Sequence, residues 1–245
     1  MRKAVRDIFV IAAMKSVPDI KRQPFILALL GLVSAIPIFM LMASGGSIEF
    51  GIIGGIVGSI SFWAINQIMQ DTAWDRYMKM REMIVAMPVQ PLSYALGQAL
   101  ATLIISLPSL LLFLGLAVWM GFVPVTALGY IALLIVLFWG TVSCVSFTIA
   151  TYLQKANQYT INTMANILGI GLTFLPPVYY AEEHLGVFSW VAEVIPTSNA
   201  VGLIRYYSGL LPLSTETVLL RWALLAATFV ISAVLLIRKS RWREA

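Results

Sequence analysis

Few residues in this chain could carry out acid–base or covalent chemistry, and their spacing argues against most of it. His184 is the only histidine and stands beside Glu182 and Glu183. One imidazole next to two carboxylates lacks the ligand set of a zinc site and reads as a solvated loop residue. No H-E-x-x-H pairing occurs, so a zinc peptidase is excluded, and the lone histidine is outside the apolar runs where an intramembrane serine protease would need it. Cys144 is the only cysteine. It allows no intrachain disulfide or thiolate cluster, and its apolar neighbours suit a small buried hydrophobe. No G-x-x-x-x-G-K-[ST] loop is present, so the chain does not hydrolyse ATP by that route. Catalysis is not expected.

Two polar stretches point instead to recognition. Gln158, Asn162 and Asn166 recur every fourth residue, and Thr173 follows seven residues on, which aligns them as a stripe on one helix. Amides facing lipid are costly, so this stripe faces protein or a wet cavity. It serves either interhelical hydrogen bonding or the lining of a substrate path. Asn66, with Gln67 and Gln70, adds polar atoms at the end of another apolar run. The second stretch, residues 71–93, reads DTAWDRYMKMREMIVAMPVQPLS. Ala73, Tyr77, Met80, Ile84 and Met87 share one helical face, Asp75 precedes Lys79 by four, and Pro88 stops the helix. Such a helix either lies on lipid headgroups or fills a groove on a partner protein.

The elements that hold these residues follow from hydropathy. Of 245 residues, 60% are apolar and 11% charged, and the mean hydropathy is +0.90. A soluble domain carries about 25% charged residues, so lipid is the solvent that fits this surface. Six apolar runs are long enough to cross a bilayer: 25–43, 50–69, 96–120, 126–153, 159–178 and 217–237. Gly121 to Pro124 makes a tight turn between the third and fourth. Gly51 with Gly55, and Gly54 with Gly58, place small residues one turn apart in the second run, where a neighbouring helix can approach closely. The expected fold is all-α and polytopic, a single transmembrane domain over residues 1–245. Residues 1–24 form an interfacial basic amphipathic helix, because Pro18, Asp19, Lys21 and Arg22 interrupt any signal-peptide core. Residues 179–215, with Trp190 and Tyr206 among charged neighbours, form short helices at the outer interface.

Charge sets the orientation. Residues 1–24, 71–93, 154–158 and the tail after 237 contain fourteen of the sixteen Lys and Arg, all on one side of a six-span chain. Only Arg205 and Arg221 fall on the other. The positive-inside bias places both termini and the 71–93 loop in the cytoplasm. No charged residue falls deep within a run, so an ion-coupled carrier, which needs one there, is disfavoured. The +5 charge sits outside the apolar runs and speaks for membrane orientation, not nucleic acid.

Asp75-Arg76, then Glu82-Met83-Ile84-Val85-Ala86-Met87-Pro88-Val89 and Gly97, resemble the membrane subunits of type-2 ATP-binding-cassette exporters, with daunorubicin-exporter-like permeases the nearest group. The stretch from Phe174 to Gly209, with Pro196 and Arg205, is similar to the external helices of that family. Many members carry Gly three residues after the Arg, where this chain has Lys79. The resemblance implies a permease of the cell (inner) membrane that pairs with a second permease chain, identical or not. Each permease would receive a separate cytoplasmic ATPase, which would bind ATP and Mg; this chain would hold no cofactor and no metal. The 71–93 helix becomes a coupling helix, with Asp75, Arg76, Tyr77, Met80, Glu82, Ile84 and Met87 as partner contacts, and residues 1–24 an elbow helix. Asn66, Gln158, Asn162, Asn166 and Thr173 are the candidate path for an amphiphilic or hydrophobic substrate leaving the cytoplasm. The alternative is a membrane scaffold or immunity-type protein that binds a cytoplasmic partner and transports nothing.

Overall fold

The long apolar runs form helices, and punctuation in the sequence sets where they stop. The computed structural model describes residues 2–22, 47–78, 90–153 and 156–239. The first expected span, 25–43, lies outside the described residues, as do Met80, Glu82, Ile84, Met87, Lys155 and the tail 240–245. The helices are α1 (Arg2–Arg22), α2 (Ile48–Tyr77), α3 (Pro91–Trp119), α4 (Leu128–Tyr152), α5 (Gln158–Phe174), α6 (Ser189–Val194), α7 (Pro196–Tyr207) and α8 (Thr215–Lys239). The 3-10 segment Val125–Ala127 precedes α4, and the 3-10 stretch Glu182–Phe188, broken by a kink at Gly186, precedes α6. No strand occurs among the described residues. Among the described residues, four helices are long and apolar enough to cross a membrane: α2, α3, α4 with its 3-10 lead, and α8.

Two helix ends differ from the sequence expectation. The helix of the second span does not stop with the apolar run at Met69; α2 continues unbroken through Asp71 to Tyr77. Polar residues change the solvent a helix prefers without breaking its backbone, and no Gly or Pro interrupts this stretch. At 1.5 Å per residue its 30 residues reach about 45 Å, longer than the ~30 Å hydrocarbon core, so the last turns project beyond it. Residues 71–77 therefore belong to α2, while residues 79–89 of the expected coupling-helix loop lie outside the described residues. The fifth span is shorter than 159–178: α5 has 17 residues and ends at Phe174. Pro176 and Pro177 lack the amide donors a helix needs, so the hydrogen-bond ladder stops there although Leu175 keeps helical dihedrals. At the other end of α5, Asn157 caps the helix by accepting the Thr160 amide at 2.7 Å. In the 179–215 stretch the short helices differ in depth: α6 exposes Trp190 and Val194, whereas every residue of α7 from Thr197 to Arg205 is buried.

The helices alternate in direction, and α2 lies at the centre. Ile53, Ile56, Ile60 and Ile68 are at most 1% exposed, and α2 packs against α3, α4, α5 and α7. Lipid supplies no hydrophobic drive between helices, so close packing and interhelical hydrogen bonds hold them together. A side-chain carbon at Gly54 would fall 2.6 Å from the Val178 carbonyl oxygen, and one at Gly58 would overlap the Tyr179 hydroxyl. These glycines thus let α2 meet the chain that leaves α5. Hydrogen bonds tie other pairs: Trp139 Nε1 donates to the Ala99 carbonyl at 3.0 Å (α4 to α3), and Thr148 Oγ1 to the Ser232 carbonyl at 3.0 Å (α4 to α8). Gly121, at φ +77°, closes α3 with amide bonds from Phe122 to Ala117 and from Gly121 to Val118. At one end of the bundle, here the near end, lie α1, the end of α2 at Tyr77, the start of α3 at Pro91, the end of α4 and the start of α5. The far end holds the 120–127 turn and residues 175–214.

Candidate functional site

α2 and α5 are in close contact in their far halves and flanked by open space in their near halves. Towards the far end Thr173 Oγ1 donates to Ser61 Oγ at 3.3 Å, and both residues are buried. One turn nearer, Gly169 lies directly against the Asn66 amide nitrogen. Beyond that contact a cleft of about 630 Å³ opens, lined by Trp74, Arg76 and Tyr77 of α2 and Gln158, Tyr159 and Asn162 of α5. A smaller cleft of about 300 Å³ is lined by Phe62, Trp63, Asn66, Gln67 and Asp71 of α2 and Asn166 of α5.

The expected path residues separate into two groups. Gln158, Asn162, Asn166 and Asn66 line the clefts, whereas Thr173 is spent on the α2–α5 contact. Asn162 and Asn166 are exposed and one turn apart. Asn66 is buried, and its Nδ2 donates to the Phe62 carbonyl at 3.0 Å, which fixes the amide orientation. Its Oδ1 and the Gln67 Oε1 find no partner among the described residues. Buried unsatisfied acceptors are costly, so two of them beside one cleft mark a place where a donor is to be supplied.

The expected partner contacts also divide. Tyr77 is 69% exposed and packs edge-on against Trp74, their ring centroids 5.8 Å apart. Arg76 is anchored within the bundle, donating to the Thr72 carbonyl at 3.1 Å and to Ala150 of α4 at 3.3 Å. Asp75 is buried and turned away from the clefts. Its two oxygens accept from Lys15 Nζ of α1 at 2.8 and 2.9 Å, and Asp71 lies 3.9 Å from the same ammonium.

Sequence reasoning missed the far-end charges. Arg205 of α7 is 1% exposed and donates to the carbonyls of Pro177, Val178 and Tyr180. Its guanidinium lies 4.2 Å above the Phe50 ring. Arg221 of α8 is buried too; its Nη2 lies 2.7 Å from both oxygens of Glu182, and its guanidinium rests against Gly202. A signal was available: these two were the only cations assigned to that side. A cation that departs from the charge bias while sitting among apolar residues is one whose partners are internal.

A bundle of apolar helices with polar clefts between two of them fits the membrane component of a transporter, and the family match gives the class: a transmembrane permease component, of a kind that lacks its own ATPase site. The family model of the ABC-2 type transporter matches residues 9–207, and the chain belongs to that family. No curated protein and no solved structure matches it.

Proposed function

We propose that the chain is the membrane-spanning subunit of an ATP-driven exporter of the cell membrane. Its near end faces the cytoplasm, where the fourteen clustered cations belong. A separate ATPase docks around Tyr77 and the segment that follows it. A second permease chain packs across the α5 face, and an amphiphilic or hydrophobic substrate passes outward between the two. The observation that carries this reading is the pair of exposed amides, Asn162 and Asn166, beside two open clefts on a helix of a membrane bundle. Lipid would not tolerate them there, whereas a wet path between two permeases would. A pure scaffold needs no such clefts.

Cysteine accessibility tests this. In a Cys144→Ser background, Asn162→Cys and Asn166→Cys in the assembled complex are expected to react with a membrane-impermeant maleimide. Thiols react as thiolates, which form only in water. Their rates should exceed that of Ile231→Cys, on the exposed face of α8, by about tenfold. Rates equal to that control would remove the wet path.

A further inference from the structure

The residues flanking the 78–90 segment share a partner that the proposed function does not use. Lys15 sits in a fork of two carboxylates, Asp71 and Asp75, which are one turn apart on α2. The side chains of Lys15 and Asp75 are 16% and 9% exposed, so solvent screens this pair weakly. Asp75 lies two residues before α2 ends. On the other side of the segment, α3 begins at Pro91 and presents Gly97 in its second turn. A side-chain carbon at Gly97 would lie 2.7 Å from Ile11 Cβ and 2.9 Å from the Ile8 carbonyl, both on α1. Ile11, Ala12 and Ser16 of α1 are buried, and with Ile8 and Lys15 they form one face of that helix. The opposite face, with Val10, Met14 and Val17, is exposed. Two of the residues that mark the family resemblance, Asp75 and Gly97, are thus the contacts of one helix with both stems of the segment.

We infer that α1 is a crossbar across the base of the 78–90 segment, and that Lys15 and Gly97 are positioning residues that make α2 and α3 move together. This rests on the reading of that segment as the one the ATPase engages. A helix resists bending over its length. Fixed to α2 by an ion pair and to α3 by close packing, α1 keeps the spacing of the two stems under load. Without it, a push on the segment would displace one stem relative to the other and dissipate before reaching the α2–α5 clefts. Loss of the ammonium also leaves Asp71 and Asp75 one turn apart without the cation they share, and like charges at that spacing repel.

The test uses the permease–ATPase complex in lipid nanodiscs, with Asn162→Cys in a Cys144→Ser background as reporter. Its maleimide labelling rate is compared with and without ATP plus vanadate. Lys15→Met keeps the stem and removes the charge. The ATPase is expected to stay bound and to hydrolyse ATP, while the nucleotide-dependent change in labelling shrinks by about fivefold or more. Lys15→Arg, which preserves the pair, is expected to restore it. An unchanged response in Lys15→Met overturns the crossbar, as does loss of the ATPase, which would make Lys15 a docking residue. If Lys15→Met yields no folded complex, Gly97→Ala, which lifts α1 from α3, is expected to give the same uncoupling; a wild-type response there overturns the inference. A wild-type chain that carries no ATPase at all overturns the proposed function itself, an outcome visible before any variant is made.

Discussion

Arg205→Met is expected to lower the thermal midpoint of the solubilised protein by about 10 °C, from a loss of about 3–5 kcal/mol at a few degrees per kcal/mol. The cause is the chain beyond α5. Pro176 and Pro177 end that helix, so the carbonyls of the following residues have no helical donors. Arg205 supplies them: Nη1 donates to Pro177 and Tyr180 at 3.1 Å each, and Nη2 to Val178 at 2.7 Å. With the side chain 1% exposed, water cannot substitute. Methionine fills similar space but leaves three acceptors unmet, each costing about 1–3 kcal/mol before relaxation. Lysine should recover less than arginine, because one ammonium cannot reproduce a planar fork that reaches three carbonyls. Fluorescence-detected size-exclusion after a temperature series reads the effect. A midpoint for Arg205→Met within about 2 °C of wild type would show that the clamp contributes little, since even 1 kcal/mol moves a chain of this size by that much.

Tyr77→Asp is expected to weaken capture of the ATPase subunit about a hundredfold while leaving the permease folded, the scale of a lost aromatic hot spot. Tyr77 is the last residue of α2, on turns that project beyond the hydrocarbon. It is 69% exposed and backed by Trp74. A large aromatic side chain in water, held by a second ring at the lip of a cleft, is what a protein partner can bury. Aspartate at the same position adds a charge where an apolar contact forms. Affinity capture from detergent extracts, with the size-exclusion profile as folding control, gives the ratio. Undiminished capture would move docking away from α2.

Much of the fold was legible because lipid simplifies the code. Runs such as 126–153 and 217–237 are apolar for about the length of a bilayer, and helices α4 and α8 fill them within a few residues. The true end of α5 was also legible in Pro176-Pro177, but hydropathy carries on past it to Val178 and hides the stop. The second span failed in the opposite sense. Gln70-Asp71 ends the apolar run, yet the helix runs on to Tyr77, since hydropathy reports the solvent and backbone propensity reports the helix. The amide stripe of α5 was visible as a four-residue period, and three of its four members line the clefts. Thr173 shares their face but sits two turns further along, where α5 has closed onto α2 and its hydroxyl meets Ser61. What no local pattern could show are pairs distant in sequence. Asp75 has Lys79 four residues on, which lies outside the described residues, and nothing local pointed to its ion pair with Lys15, sixty residues upstream. Arg205 looked like an ordinary charge in a mixed loop, because its partners are backbone carbonyls, which every residue has.

The account depends most on a division of labour between this chain and an energy source it does not contain. Affinity purification of the tagged chain from its native membrane measures that directly, with ATP hydrolysis assayed before and after the complex is stripped to the permease alone. The expected result is a second polypeptide with a phosphate-binding loop in the eluate, hydrolysis by the complex and none by the stripped chain. A chain that purifies without any ATPase, from membranes in which its function is intact, would contradict it.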